Sequence, residues 1–269
     1  MSQNDAQNAA QNVFDFLVDD GRGGDERLDS SVIAFPFIRL LQTISPQCKK
    51  KDPAYIEGAE EGMLYNNVTN EVINLPTRAI VGMFDRTYIE WKPNRGGFAG
   101  AHTPEQVNKG LASGAYDTIN NKIVDPLTGN ELTDTYTYYV YLPDKPEWGV
   151  CLLCMSGTQL KEARRWNRLL TSMVIPGTKT RAKIYHTIWS LDSVQLSNDK
   201  GSWAGYAVSF HSWIDKDLFE VITTERAALS DGRQVNYAAL AESSDAAESL
   251  PQGAIDVTPS DATMEDAPF

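Results

Sequence analysis

Along the middle of the chain, runs rich in β-branched and aromatic residues are separated by clusters of Pro, Gly, Asn and Asp, the pattern of strands joined by turns. Five such runs stand out: 78–92 (RAIVGMFDRTYIEWK), 135–142 (TYTYYVYL), 148–155 (WGVCLLCM), 183–196 (KIYHTIWSLDSVQL) and 202–214 (SWAGYAVSFHSWI). Pro143, Asp144 and Pro146 make the second and third a hairpin, and the turn-forming cluster 197–201 makes another of the last two. In the final run, alternation sends Tyr206, Val208, Phe210 and Ile214 to the core, and Trp203, His211 and Trp213 to the opposite face. A smaller N-terminal hairpin is expected at 62–75, where Asn66, Asn67 and Asn70 supply the turn.

One segment has helical period. Leu160, Ala163, Trp166, Leu170, Met173 and Val174 share one side until Pro176-Gly177 ends the run, and Ser156 with Gln159 fits a capping box at its start. On the opposite side Lys161, Arg164, Arg165 and Arg168 fall within a stripe of about 100°. Residues 93–134 read as a long loop insertion carrying Gly96, Gly97 and Gly100, with a short helix opened by Thr103-Pro104.

The order strand, insertion, strand, strand, helix, strand, strand predicts a mainly β protein with minor α. It fits an OB-fold-like five-stranded barrel with one amphipathic helix between its third and fourth strands, a fold that commonly binds oligonucleotides. An SH3-like barrel or an α+β sandwich gives a similar order.

Charge changes the picture of the ends. The 269 residues carry a net charge of −12. Residues 1–31 hold seven acids and two bases, and residues 240–269 hold seven acids and no base, so 32–239 is neutral. The segment 1–31 is expected to be flexible, with a short apolar patch at 13–17, and 240–269 to be disordered, because it buries too little apolar surface to offset the entropy of ordering. A 30-residue flexible tail has a reach of roughly 30 Å. The core is expected over 32–239. The N-terminus has neither a basic n-region nor an apolar h-region, and no run approaches the ~18 apolar residues of a membrane helix, so a cytoplasmic protein without membrane contact is expected. The three cysteines, Cys48, Cys151 and Cys154, do not form a disulfide framework.

Motifs for catalysis are sparse. His102, His186 and His211 fall in no H-E-x-x-H, and there is no Walker A or dinucleotide fingerprint. Cys151-Leu-Leu-Cys154 has no second pair, and a strand would point its two thiols to opposite faces. The reading is therefore of a protein that is not an enzyme, with no catalytic residue, metal or cofactor.

Cations interleaved with aromatics are the stronger signal. Between 158 and 183 stand Lys161, Arg164, Arg165, Arg168, Lys179, Arg181 and Lys183 against the single acid Glu162, and Arg86, Lys92 and Arg95 lie near the first strand. These are the candidate phosphate contacts. Tyr88, Trp91, Tyr138, Trp148, Tyr185, Trp189, Trp203 and Trp213 are the candidate base-stacking residues. Single-stranded nucleic acid needs this combination, since cations follow the backbone and flat rings stack on bases without reading sequence.

The chain ends Met264-Glu265-Asp266-Ala267-Pro268-Phe269. This ending resembles that of bacterial and tailed-phage single-stranded DNA-binding proteins, whose acidic tails close on Pro-Phe. Phe35-Pro36, Leu40-Leu41-Gln42, Ser45-Pro46, Glu57-Gly58-Ala59, Gly62 and Tyr88-Ile89-Glu90-Trp91 look like a phage-encoded family of such proteins over roughly residues 32–100. The resemblance implies an OB-like core that coats single-stranded DNA in replication, recombination or repair in the bacterial host. It also implies a tail in which Glu265, Asp266, Pro268 and Phe269 recruit replication or recombination proteins, and it leaves room for a homo-oligomer. A strand-annealing factor, a replication or transcription adaptor and a metal-dependent nuclease are the alternatives.

Overall fold

The computed structural model describes residues 35–199, 201–230, 235 and 237. The expectations for 1–31, for 240–269 and for the tail residues Glu265, Asp266, Pro268 and Phe269 lie outside the described residues.

The protein is mainly β. Among the described residues eleven strands, β1 (Phe37–Leu40), β2 (Leu64–Asn66), β3 (Val72–Ile73), β4 (Thr77–Trp91), β5 (Phe98–His102), β6 (Asp117–Ile119), β7 (Lys122–Val124), β8 (Glu131–Tyr141), β9 (Val150–Ser156), β10 (Thr187–Asn198) and β11 (Gly201–Trp213), form one mixed sheet. Its order is β11-β10-β4-β8-β9-β1-β2-β3, with β5 beside β4 and the β6–β7 ribbon beside β8. Every ladder is antiparallel except that between β1 and β9. The five long runs read from the sequence are β4, β8, β9, β10 and β11, and the expected N-terminal hairpin is β2–β3. β1 was not foreseen.

The insertion is structured rather than a loop. It contains β5, the helix α1 (Pro104–Ser113) and the β6–β7 hairpin. α1 starts at a true capping box: the Thr103 hydroxyl accepts from the Gln106 amide at 3.2 Å, and the Gln106 side chain accepts from the Thr103 amide at 2.7 Å.

The helix α2 (Leu160–Ser172) carries its apolar stripe through Leu170 as predicted, but both ends differ: Met173 is its extended C-cap, Val174 lies beyond it and is 45% exposed, and the start is not the expected one. Gly157, at φ +54°, turns the chain into a 3₁₀ turn over Gly157–Gln159, and neither Ser156 nor Gln159 caps a backbone amide. Leu160, Ala163, Trp166 and Leu170 enter the main core among Ala79, Val81, Tyr138, Val140, Leu153, Trp189, Leu191 and Tyr206. Trp166 stacks on Tyr138 with ring centroids 4.4 Å apart and planes 26° apart.

Two side-chain devices hold the outer edge of β11. The Gln42 amide pairs with Ala204 as a strand would, donating to its carbonyl at 3.0 Å and accepting from its amide at 2.9 Å. The Tyr206 hydroxyl accepts from the Leu40 amide at 3.1 Å, so the segment after β1 lies along β11.

The far face of the sheet is also covered. The helix α3 (Lys216–Ser230) buries Ile222 with Ile80, Tyr141, Tyr185 and Ile188, and buries Leu229 with Phe35, Phe37, Tyr139 and Leu152. Arg226 donates to the Gly82 carbonyl at 2.7 Å from a guanidinium 4.0 Å above the Tyr185 ring. Gly82 sits at the β-bulge between Val81 and Met83, under Arg226 and Ile222 of α3. No helix among the described residues is long and apolar enough to cross a membrane.

Candidate nucleic-acid interface

α2 places its cations by its own packing. Four apolar residues face the core, so the residues between them turn outward, and Lys161, Arg164 and Arg168 are exposed and make no ion pair with any described residue. Spaced three and four residues apart, they form one ridge. The chain then folds into a tight hairpin. Ala182 donates to Met173 and Ile175 to Thr180, both at 2.9 Å, and Pro176-Gly177 makes the turn with Gly177 at φ +75°. Lys179 and Arg181 are exposed on this hairpin, and Arg181 reaches the Thr171 carbonyl at 3.5 Å at the end of α2. Lys183 is exposed just beyond, 5.8 Å from the Tyr185 ring.

Arg165 does not belong to the free ridge. Its guanidinium holds both carboxylate oxygens of Glu162 at 2.7 and 2.6 Å and donates to the Val208 carbonyl, while Glu162 accepts from the Val208 amide at 2.8 Å. Hydrogen bonding to Glu162 raises the guanidinium's pKa. The pair fastens α2 to the same edge of β11 that Gln42 holds at Ala204. Of the candidate phosphate contacts on α2, Arg165 is the one paired with an acid of the helix itself.

Arg86 is also engaged. It forms a two-pronged pair with Asp134, both bonds 2.9 Å, donates to the Tyr88 hydroxyl at 2.9 Å, and lies 5.4 and 5.7 Å from the Tyr88 and Tyr136 rings. Asp134 takes up the charge that the sequence offered to a phosphate. Nearby, Glu90 accepts from Asn130 at 2.7 Å and lies 2.7 Å from His102 Nε2, knitting β4, β5 and the chain before β8 together. Lys92 is exposed; Arg95 ends a 3₁₀ turn, and its side chain lies outside what is described.

Most of the stacking candidates are structural. Tyr138 and Trp189 are fully buried, and Trp148, Tyr185 and Trp203 are buried as well. Tyr138 has Trp166 on one face and its hydroxyl 3.0 Å from the Ala163 carbonyl and 2.9 Å from Asn167 Oδ1. Trp148 donates to Glu71 under the Lys145 ammonium, and Tyr185 lies beneath Arg226. Protein occupies these rings, so they offer no face to a base. Tyr88, Trp91 and Trp213 remain half-buried, with Trp91 edge-on to Phe98 at 6.4 Å.

The last strand departs from simple alternation. Tyr206 and Val208 are buried as expected, yet Phe210 is 43% exposed, Ile214 is half-buried and Trp203 is buried. Trp189 pairs with Phe210 and Ile188 with Ser212, so His211 is an extra residue in a bulge that shifts the pattern for the residues after it, Ile214 among them, and not for Trp203 or Phe210. Cys151 and Cys154 follow alternation: one packs in the main core and the other against the Tyr139 cluster, and burial pushes both thiols up to about 12. Among the described residues no cluster of His, Cys, Asp and Glu gathers where it would hold a metal ion.

These features define a mainly β protein whose sheet core is filled by a helix with a cationic outer ridge. The chain belongs to the family of Pam3 phage gp34-like proteins, whose sequence model matches residues 5–234. No curated protein and no solved structure matches it.

Proposed function

We propose that this protein binds single-stranded DNA largely without regard to sequence, in phage DNA replication, recombination or repair inside the bacterial host, and that it does so without chemistry of its own. The observation that carries this reading is the ridge of Lys161, Arg164 and Arg168, three exposed cations without a described ion-pair partner, continued by Lys179 and Arg181 on the following hairpin. Cations on a rigid element follow a phosphate chain and supply affinity independent of sequence.

The topology supports an OB-like core. β4, β8 and β9 form a meander, α2 follows, and the β10–β11 hairpin returns so that β10 lies beside β4. In this reading β1 fills the seam between the third and fifth barrel strands, and Gln42 completes it by pairing with Ala204. The acidic residues 240–269, with Glu265, Asp266, Pro268 and Phe269, recruit replication or recombination proteins: an aromatic ring beside carboxylates suits an apolar pocket edged by Arg or Lys.

The test is a titration of the intrinsic fluorescence of the six tryptophans with oligo-dT and with duplex DNA of equal length, at two salt concentrations. Binding of the single strand, weakened by salt and much stronger than that of the duplex, is expected. Absence of binding to either overturns the proposal.

A further inference from the structure

Phe210 stands out from the other large apolar side chains of the core strands. It lies on the face of β11 expected to be internal, yet 43% of it is open to solvent. Its ring is held by two others: buried Trp189 meets it edge-on at 5.9 Å and 83°, and Trp213 lies 6.1 Å away at 66°. Trp189 is itself tied to Thr187 by a 2.9 Å hydrogen bond and packs against Trp166 of α2 at 6.3 Å. The exposed ring is therefore the surface end of an aromatic series that begins in the core.

Its position relative to the cations is set by one contact. Glu162 and Arg165 of α2 grip the backbone of Val208, two residues before Phe210. Two residues of extended chain advance about 7 Å, so the ring emerges one short step from the point where the ridged helix meets the strand. A bulge at His211 follows immediately and separates Phe210 from Trp213 in the ladder.

We infer that Phe210 is a base-stacking platform, with Trp213 at its side, for single-stranded nucleic acid whose phosphates run along Lys161, Arg164 and Arg168. This rests on the single-strand-binding reading and names the residue that meets a base. A single strand matches both features, because it presents an anionic backbone and flat apolar faces at neighbouring positions, whereas duplex DNA keeps its bases stacked internally. A braced ring also loses little conformational freedom when a base lands on it.

The test measures affinity and its salt dependence for oligo-dT and for an abasic oligomer of the same length, with the wild-type chain, Phe210→Ala, Phe210→Leu and Phe210→Trp. Leu keeps the apolar contact with Trp189 and Trp213 but removes the aromatic face, and thermal melting checks that each variant is folded. Phe210→Leu is expected to weaken oligo-dT binding on the order of ten- to a hundredfold, with an unchanged salt slope. Phe210→Trp is expected to retain affinity, and the abasic oligomer to bind all four proteins alike. If the wild type binds and folded Phe210→Leu binds oligo-dT equally well, the platform is overturned while the DNA-binding reading stands. Equal losses on oligo-dT and the abasic oligomer also overturn it, because the role would then be structural. A wild type that binds neither oligomer overturns both readings.

Discussion

Arg165 and Glu162 lie one helical turn apart on α2, and together they hold the amide and carbonyl of Val208 as a neighbouring strand would. The contact spends one of the helix's four cations on architecture and leaves the other three facing out. Arg165→Ala is therefore expected to lower stability by about 1–2 kcal/mol, the scale of one or two charge-assisted hydrogen bonds. It should leave the salt slope of DNA binding unchanged. Urea unfolding and the salt titration separate these effects; a slope reduced as much as by Arg164→Ala would return Arg165 to the phosphate track.

Gln42 is the counterpart of this clamp at Ala204. Gln42→Leu removes both hydrogen bonds and leaves a buried amide and carbonyl on β11 without them, a cost of about 2–4 kcal/mol. Chemical denaturation measures it. A loss below about 0.5 kcal/mol would mean that the contact does not hold the edge of the strand.

Asp134 masks Arg86. Asp134→Asn keeps a hydrogen-bond acceptor in place while removing the negative charge, so it is expected to strengthen single-strand binding and steepen its salt dependence by about 0.7, one phosphate's worth. An unchanged slope would show that the strand does not pass over Arg86.

Asp144 provides a pH-dependent contribution to stability. Its hydrogen bond from the Arg78 side chain, with a further one from the Arg78 amide, lowers its carboxyl pKa. A carboxyl whose folded pKa is depressed contributes stability above its unfolded pKa and loses it as pH falls through the folded value. Both partners are 41% exposed, so the pair is worth no more than about 1 kcal/mol. The stability gap between wild type and Asp144→Asn is expected at pH 7 and should close below about pH 4. A gap that persists at pH 2 would show that it does not arise from the charge.

The acidic end gives a separate prediction. Removing residues 262–269 should leave DNA affinity equal or higher and abolish capture of the partner enzymes. A collapse of DNA binding would contradict the recruiting role.

The long strands and the helix with two unlike sides were readable because burial repeats at a fixed period. The aromatics misled because period reports which residues share a face, not what covers it. Tyr138 and Trp189 carry the signature of stacking candidates, and their complete burial, with Trp166 seated against both, makes them core. Tyr185 carries the same signature, but its surroundings come from α3, which was not foreseen. The signal was present in Asp215, whose carboxylate accepts from the Leu218 amide at 2.9 Å as an N-cap, and in the spacing of Leu218, Ile222 and Leu229. Phe210 keeps the alternation of Tyr206 and Val208 up to the bulge, so period placed it with the core and could not report that its ring stays open. Arg86 could not be told from its neighbours, because its partner Asp134 lies 48 residues away along the chain; the Arg165 pair with Glu162, three residues before it, was within reach of the sequence, but their joint hold on Val208, 43 residues on, was not.

The central claim is that the outer ridge of α2 carries the phosphate chain. It is tested most directly by the salt dependence of oligo-dT binding in the wild type and in the triple variant Lys161→Ala, Arg164→Ala and Arg168→Ala. At roughly 0.7 per phosphate neutralised, the slope of log affinity against log salt should become shallower by about 2, with weaker binding and an unchanged melting temperature. A folded triple variant that keeps the wild-type slope and affinity would contradict the account.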